Sequence, residues 1–334
     1  MYAEYYNYII KRTAVMLKVE NLVKRFGDKY AVNDVSFEIG QGEVVGFLGP
    51  NGAGKTTIMN IITGYLSYTS GSCTVDCFEI LENPTEAKKL IGYLPDQPPL
   101  YPDMKVKEYL NFVFDLKGCT LNRQKHIMEV CEVTKIVDMR DRLIRNLSKG
   151  YCQRVGIAQA LIGNPKIIIL DEPTVGLDPK QIIEIRNLIR TLGRDHTVIV
   201  STHILSEVQA ICDRIIIMNK GRIAADEQTD KLSELMTGSR RLSVKIDGSR
   251  ATVLEALKGI KGVKRVEAGR DISTSNGITF KIESEGGCDV RADVFRLCAE
   301  MNTPILGMET VSASLEDVFM SITREKTGKK VLSK

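Results

Sequence analysis

"EVVGFLGPNGAGKTT", Glu43 to Thr57, decides how the rest of the chain reads. Its first half is an almost unbroken apolar run, as a strand buried on both faces requires. A glycine-rich turn follows, and then "KTTIMNIITGYL", whose periodicity is helical. The turn through Gly49, Pro50, Asn51, Gly52, Ala53, Gly54, Lys55, Thr56 and Thr57 fits a phosphate loop. Its glycines let backbone N–H groups curl around a β-phosphate. Lys55 would reach the β- and γ-phosphates, and the Thr56 hydroxyl would ligate Mg²⁺. Such spacing also arises by chance. The buried strand before it and the helix after it separate a nucleotide site from a plain glycine turn.

A second buried run, "IIILDE", supplies the matching carboxylates. Asp171 would stand at the C-terminal edge of the sheet beside the phosphates and hold Mg²⁺. Glu172, next to it, could orient and deprotonate an attacking water. The plain alternative is a solvated acid at a strand end, which the apolar run before it and "PTVGLDP" after it disfavour. "VIVSTH" puts His203 at the end of another strand. A histidine there is more often structural, but a phosphate loop and an Asp–Glu pair upstream point to chemistry.

Around these motifs the pattern alternates. Residues 17–39 read as two strands with an exposed face, "CTVDCFEI" and "LIGYLP" as strands, and 105–162 as an inserted helical subdomain. "KIIIL", a helix, "TVIVS", a helix and "RIIIMN" follow. Strands alternating with helices argue for an α/β fold around a mostly parallel, covered sheet. Past about Asp230 the composition shifts to Ser, Gly and charge. There the pattern is strand–helix–strand–strand–helix–strand with a final helix, "SLEDVFMSIT", a small α+β domain over about 240–326. Residues 1–15 carry tyrosines where an apolar signal core would stand and are expected to be a tail, as are 327–334.

Bulk properties exclude several classes. The 334 residues are 43% hydrophobic and 26% charged, as in a soluble globular protein. A net charge of +4 makes no electrostatic case for nucleic acid. No run approaches the ~18 apolar residues of a membrane-spanning helix. The eight cysteines form no zinc-type pair of pairs. They are expected to be free thiols in a reducing cytosol.

"GPNGAGKTT", "LSKGYCQR", "IIILDEPTVGLDP" and "STH", in this order, resemble the ATP-binding cassette (ABC) family over about residues 16–230. The resemblance implies a phosphate-loop NTPase cassette with an antiparallel β subdomain and a helical subdomain. It also implies two copies paired head to tail, most simply as a homodimer. Each ATP would lie between the phosphate loop of one copy and the "LSKG" helix end of the other. Ser148 and the Gly150 N–H would then meet the partner's γ-phosphate, a role suited to a helix N-terminus. Phe26 in "KRFG" matches the aromatic that stacks on adenine, with a core aromatic as its alternative. Asp178 in "GLD" matches the residue linking the two sites, and His203 the one holding the γ-phosphate and water.

Three departures stand out. Lys149 and Tyr151 replace glycine and glutamine, as in exporter-branch members whose permease is a separate chain. In "LPDQPPLYP" the usual Mg²⁺-binding glutamine is displaced: Asp96 takes its place and Gln97 follows one residue later, so either one or the other would fill that role. Cys77 follows Asp76 where an Asp–Gly turn is usual, and positive φ there would cost about 1 kcal/mol.

The reading implied is the ATP- and Mg²⁺-dependent motor subunit of an exporter. It would sit on the cytoplasmic face of the membrane and drive a separate polytopic permease. Leu100, Tyr101 and Met104 are docking candidates, with subdomain packing as the plain alternative. A soluble cassette ATPase acting on nucleic acid or the ribosome is the runner-up. No coiled coil, zinc insertion, second cassette or basic surface supports it. A catalytically dead cassette conflicts with Lys55, Asp171, Glu172 and His203 all being present.

Overall fold

The computed structural model describes residues 15–230, 241–269, 277–284 and 288–311. The chain divides into two compact units between Thr229 and Asp230. In the first, β1 (Val15–Phe26) and β2 (Lys29–Gly40) form an antiparallel pair. Leu17, Val19, Leu22, Val35, Phe37 and Ile39 turn inward and are buried, the alternation of a sheet with one wet face. β1 takes in Val15, the last residue of the stretch expected to be tail.

β3 (Val44–Leu48) is buried along its whole length and runs through the glycine loop into α1 (Lys55–Ile62). β4 (Ser70–Val75) and β5 (Phe78–Glu79) complete a four-stranded antiparallel sheet in the order β2-β1-β4-β5. "CTVDCFEI", expected as one strand, is therefore a tight hairpin. The left-handed residue of its turn is Asp76, at φ 56, and not Cys77. The strain expected at Cys77 does not arise, because an aspartate, which tolerates this region better than most side chains, takes it instead.

α2 (Pro84–Lys89) leads to β6 (Ile91–Leu94). A helical excursion follows, made of α3 (Val106–Leu116), α4 (Arg123–Val133), two 3₁₀ turns and α5 (Lys149–Leu161). It rejoins the sheet at β7 (Ile167–Asp171), which pairs directly with β6. The Lys117 ammonium ties α3 to the end of α5, donating to the carbonyls of Gln159, Ala160 and Ile162 at 3.2, 3.2 and 2.8 Å. These are carbonyls a helix end leaves without partners, and burial lowers the Lys117 pKa to about 8.

α6 (Pro179–Leu192), β8 (Thr197–Thr202), α7 (Leu205–Ile211), β9 (Arg214–Asn219) and β10 (Arg222–Gln228) complete the unit. The central sheet runs β10-β9-β3-β8-β7-β6, parallel except for β10. β10 was not anticipated. All its residues are at least partly exposed, so it lacks a burial period. Its signal is the Lys220–Gly221 turn, with φ 49 and 76, the geometry of a two-residue hairpin.

α1 lies between the two sheets. Ile58, Met59, Ile61 and Ile62 share one buried cluster with Leu17 and Phe37 on one side and Val45 and Phe47 on the other. Phe37 and Phe47 meet edge-on at 5.2 Å. Each such side chain contributes roughly 1.5–3 kcal/mol by burial, so the loop at the start of α1 stands on a firmly packed base.

The second unit is β11 (Arg241–Ile246), α8 (Arg250–Lys258), β12 (Val263–Ala268), β13 (Ile278–Ser284), α9 (Arg291–Glu300) and β14 (Ile305–Val311). Its antiparallel sheet runs β12-β13-β11-β14. Val244, Ile246, Phe280 and Ile282 pack with Val253 and Leu257 of α8 and Val294 of α9. This is the α+β pattern the sequence indicates. The helix expected in "SLEDVFMSIT" and the two tails lie outside the described residues, apart from Val15.

Replacing Cys77 with glycine is expected to leave the melting temperature unchanged or lower it. No left-handed strain is relieved, and the extra backbone freedom costs about 0.5–1 kcal/mol. Calorimetry of both proteins checks this. A clear rise would put the strain back at Cys77.

Candidate nucleotide site

The site forms where β3, β7 and β8 end side by side. Beyond Leu48 the chain turns through Gly52 at φ 79 and Gly54 at φ 105, regions closed to most side chains. Backbone also crowds the loop. A Cβ on Gly49 would sit 2.6 Å from the Met218 carbonyl oxygen, and one on Gly54 2.5 Å from that of Ala31. Gly54 caps α1, which has neither a side-chain cap nor an acidic residue in its first turn. Its first N–H groups are therefore suited to an anion. Pro50, Asn51, Gly52 and Thr56 are exposed along the loop, Thr57 is partly exposed, and Ala53 is buried beneath.

Lys55 is buried, and its ammonium donates to the Gly49 carbonyl at 2.8 Å. It stands 3.9 Å from the Glu172 carboxylate. Burial lowers its pKa, against the charges of Glu172 and Asp171.

Asp171 ends β7 opposite Ser201 of β8. It is 1% exposed, and neither carboxylate oxygen has a hydrogen-bond partner; nor does the Ser201 hydroxyl. Burial pushes its carboxyl up. Ser201 and Thr56 stand near enough to temper that shift without closing a well-formed bond, and the charge of Asp96 adds to it. A buried carboxylate left this way invites a cation. Among the described residues no three or more His, Cys, Asp or Glu side chains converge as a metal nest. The arrangement fits an ion that takes only one or two protein ligands and completes its shell with phosphate and water, as Mg²⁺ does.

Glu172 leaves the strand at φ 50. Its N–H donates to the Ser201 carbonyl at 2.9 Å. The His203 Nδ1 meets its two carboxylate oxygens at 2.9 and 3.0 Å. An ionised carboxylate only accepts, which assigns the proton to Nδ1 and leaves Nε2 free for another group.

The other expected residues fall around this cluster. Phe26 is 52% exposed at the end of β1, with the Lys24 ammonium 5.1 Å from its ring centre, so it is not a core aromatic. Asp96 and Gln97 are both exposed just past β6. The charge of Asp96 acts on Asp171, whereas Gln97 has no hydrogen bond to the cluster among the described residues. Ser148 caps α5, accepting from the Tyr151 N–H at a long 3.5 Å. Asp178 caps α6, accepting from the Gln181 N–H at 2.9 Å. Neither bonds to Lys55, Asp171 or Glu172. Gly150 is buried under the Gln181 side chain, and Lys149 lays its ammonium against Gly176. Sequence reasoning missed Ser201. Its signal was a hydroxyl inside an apolar, fully buried strand, in register with Asp171.

Residues 32–175 match the ABC transporter family. Over 318 residues the chain is 34% identical to YhcH, an uncharacterised ABC transporter ATP-binding protein of Bacillus subtilis, covering 93% of this chain and 96% of that one. It is 32% identical over 314 residues to LnrL, the linearmycin resistance ATP-binding protein of the same organism, covering 92% and 98%. Among solved structures, the dimeric MJ0796 cassette in a post-hydrolysis state with ADP and Pi superposes with a TM-score of 0.58. It is 30% identical, covering 64% of this chain and 99% of that one.

The chain belongs to the family of ABC transporter ATP-binding proteins. It is an ATP-binding subunit of that class, whose cassettes hydrolyse ATP. Among the described residues no helix is long and apolar enough to cross a membrane.

Lys55→Ala is expected to weaken ATP binding at least tenfold, since a charge-assisted phosphate contact contributes about 1.5–3 kcal/mol. Titration with a fluorescent ATP analogue measures it, with circular dichroism as the check on folding. Unchanged affinity would place the nucleotide elsewhere.

Proposed function

We propose that this chain hydrolyses ATP in a Mg²⁺-dependent reaction at the Lys55–Glu172–His203 cluster, as the motor of an export system. The observation that carries the reading is the Glu172 carboxylate. It is 12% exposed and sits between the Lys55 ammonium and the His203 imidazole.

Lys55 and the α1 N-terminus bind the β- and γ-phosphates, and Phe26 stacks on the adenine. Thr56 and Asp171 would hold Mg²⁺, with Asp96 rather than Gln97 beside it. The ion supplies neutralisation of phosphate charge. Glu172 orients a water and takes its proton as the water oxygen attacks the γ-phosphorus. The bond from that phosphorus to the bridging oxygen breaks, giving ADP and phosphate. His203, aimed by its Nδ1 bond to Glu172, presents Nε2 to the γ-phosphate.

Ser148 and Gly150 serve a second copy of the chain. They stand at the N-terminus of a 13-residue helix whose first turn has no acidic residue and bond to nothing in their own chain's cluster. Head-to-tail pairing gives them a γ-phosphate to meet, with Asp178 beside the junction. That MJ0796 is a dimer with ADP and Pi supports the pairing of two cassettes.

A separate polytopic permease is the other partner, with this chain on the cytoplasmic face. Tyr101 is 49% exposed and Phe112 38%, their rings 5.4 Å apart. They form an aromatic patch beside the partly buried Leu100 and Met104, and it suits a docking helix. The resistance name of LnrL supports export.

Tagged Glu172→Gln protein, recovered from native membranes with ATP and Mg²⁺, is expected to bring down a polytopic membrane protein identifiable by mass spectrometry. Adding Tyr101→Asp should remove that partner while leaving ATP binding intact. Ribosomes or nucleic acid in its place would favour a soluble ATPase.

A further inference from the structure

A buried carboxylate outside the cluster has no part in the chemistry above. Glu207, on α7, is 3% exposed. Its Oε2 accepts from the Thr174 hydroxyl at 2.6 Å and from the Thr202 hydroxyl at 3.0 Å. Both threonines are themselves buried, at 3% and 0%. The Thr202 oxygen also accepts from the Ile204 N–H at 3.1 Å. No basic side chain pairs with Glu207 among the described residues. A carboxylate is costly in such a place, since only neutral donors replace its water.

Its position relates the two halves of the reacting group. Thr174 lies two residues after Glu172, and Thr202 immediately precedes His203. The last ladder pair joining β7 and β8 is Asp171 with Ser201. Just beyond it the Glu172 N–H still donates to the Ser201 carbonyl, and the Glu207 carboxylate joins the loops that follow through Thr174 and Thr202. α7 is itself seated on β3. Gly46 lies beneath it, and a Cβ there would be 2.5 Å from the Val208 side chain. Glu207 is thus fixed against the strand that carries the phosphate loop.

We infer that Glu207 is a positioning residue for hydrolysis: through Thr174 and Thr202 it holds the Glu172 loop and the His203 turn at the separation that lets the carboxylate meet the imidazole. The inference rests on Glu172 and His203 serving hydrolysis. Glu207 touches no reacting atom, so its loss should lower turnover and leave nucleotide binding in place.

The test measures kcat and KM for ATP, and ATP-analogue affinity, in the full chain. Glu207→Ala is expected to lower kcat by about tenfold or more, as small misplacements of reacting groups do, with affinity within about threefold. Glu207→Gln keeps an amide oxygen that can accept from both hydroxyls, so it should retain most of the turnover. Thr174→Val and Thr202→Val should each lower kcat, and the double variant should match Glu207→Ala. If Glu207→Ala does not fold, the threonine variants carry the test alone. The inference is overturned if the folded variants keep kcat within about twofold, or if Glu207→Gln is as damaged as Glu207→Ala. Glu172→Gln is assayed alongside. Wild-type turnover in that variant overturns the hydrolysis reading and this inference with it. An inactive Glu172→Gln beside fully active Glu207 and threonine variants overturns the inference alone.

Discussion

The Lys55 ammonium, buried between the Gly49 carbonyl and the Glu172 carboxylate, is the contact on which the rest of the site depends. It joins the glycine loop after β3 to the acidic end of β7, two segments more than a hundred residues apart in sequence. A charge that deep is tolerable only because a carbonyl and carboxylates surround it. Those carboxylates are in place because parallel strands with unbroken apolar runs end at the same edge of one sheet. The packing of α1 between two sheets holds the loop still, so the charge balance and the hydrophobic core support each other.

Much of this could be read from the chain. β3, β7 and β8 announce themselves as continuous apolar runs, and the loop, the Asp–Glu pair and His203 fall at their ends. What escaped were features with no local pattern. β10 is a partly exposed edge strand without alternation. The turn at Asp76–Cys77 depends on which of two adjacent residues enters the left-handed region, which the sequence leaves undecided. Ser201 and Glu207 are ordinary polar residues until the fold buries them against Asp171, Thr174 and Thr202. Their significance lies in contacts between segments distant in sequence. The choice between Asp96 and Gln97 likewise waits on which side chain stands near Asp171.

The two helix caps tell the other half of the account. Ser148 and Asp178 each satisfy an N–H of their own helix, as a cap should. Their surroundings nonetheless fit a second role. Gly150 is kept without a side chain under Gln181, and Lys149 adds positive charge to the already positive end of α5 against the bare backbone of Gly176. Within one chain neither cap bonds to Lys55, Asp171 or Glu172. Two chains facing each other would give every one of them a phosphate or a partner loop.

That pairing is the central claim, and light scattering of the purified Glu172→Gln protein tests it most directly. The account predicts a monomer without nucleotide, a dimer with ATP and Mg²⁺, and a return to monomer when Ser148→Arg is added. A monomer at saturating ATP, or a dimer indifferent to both ATP and Ser148, would contradict it.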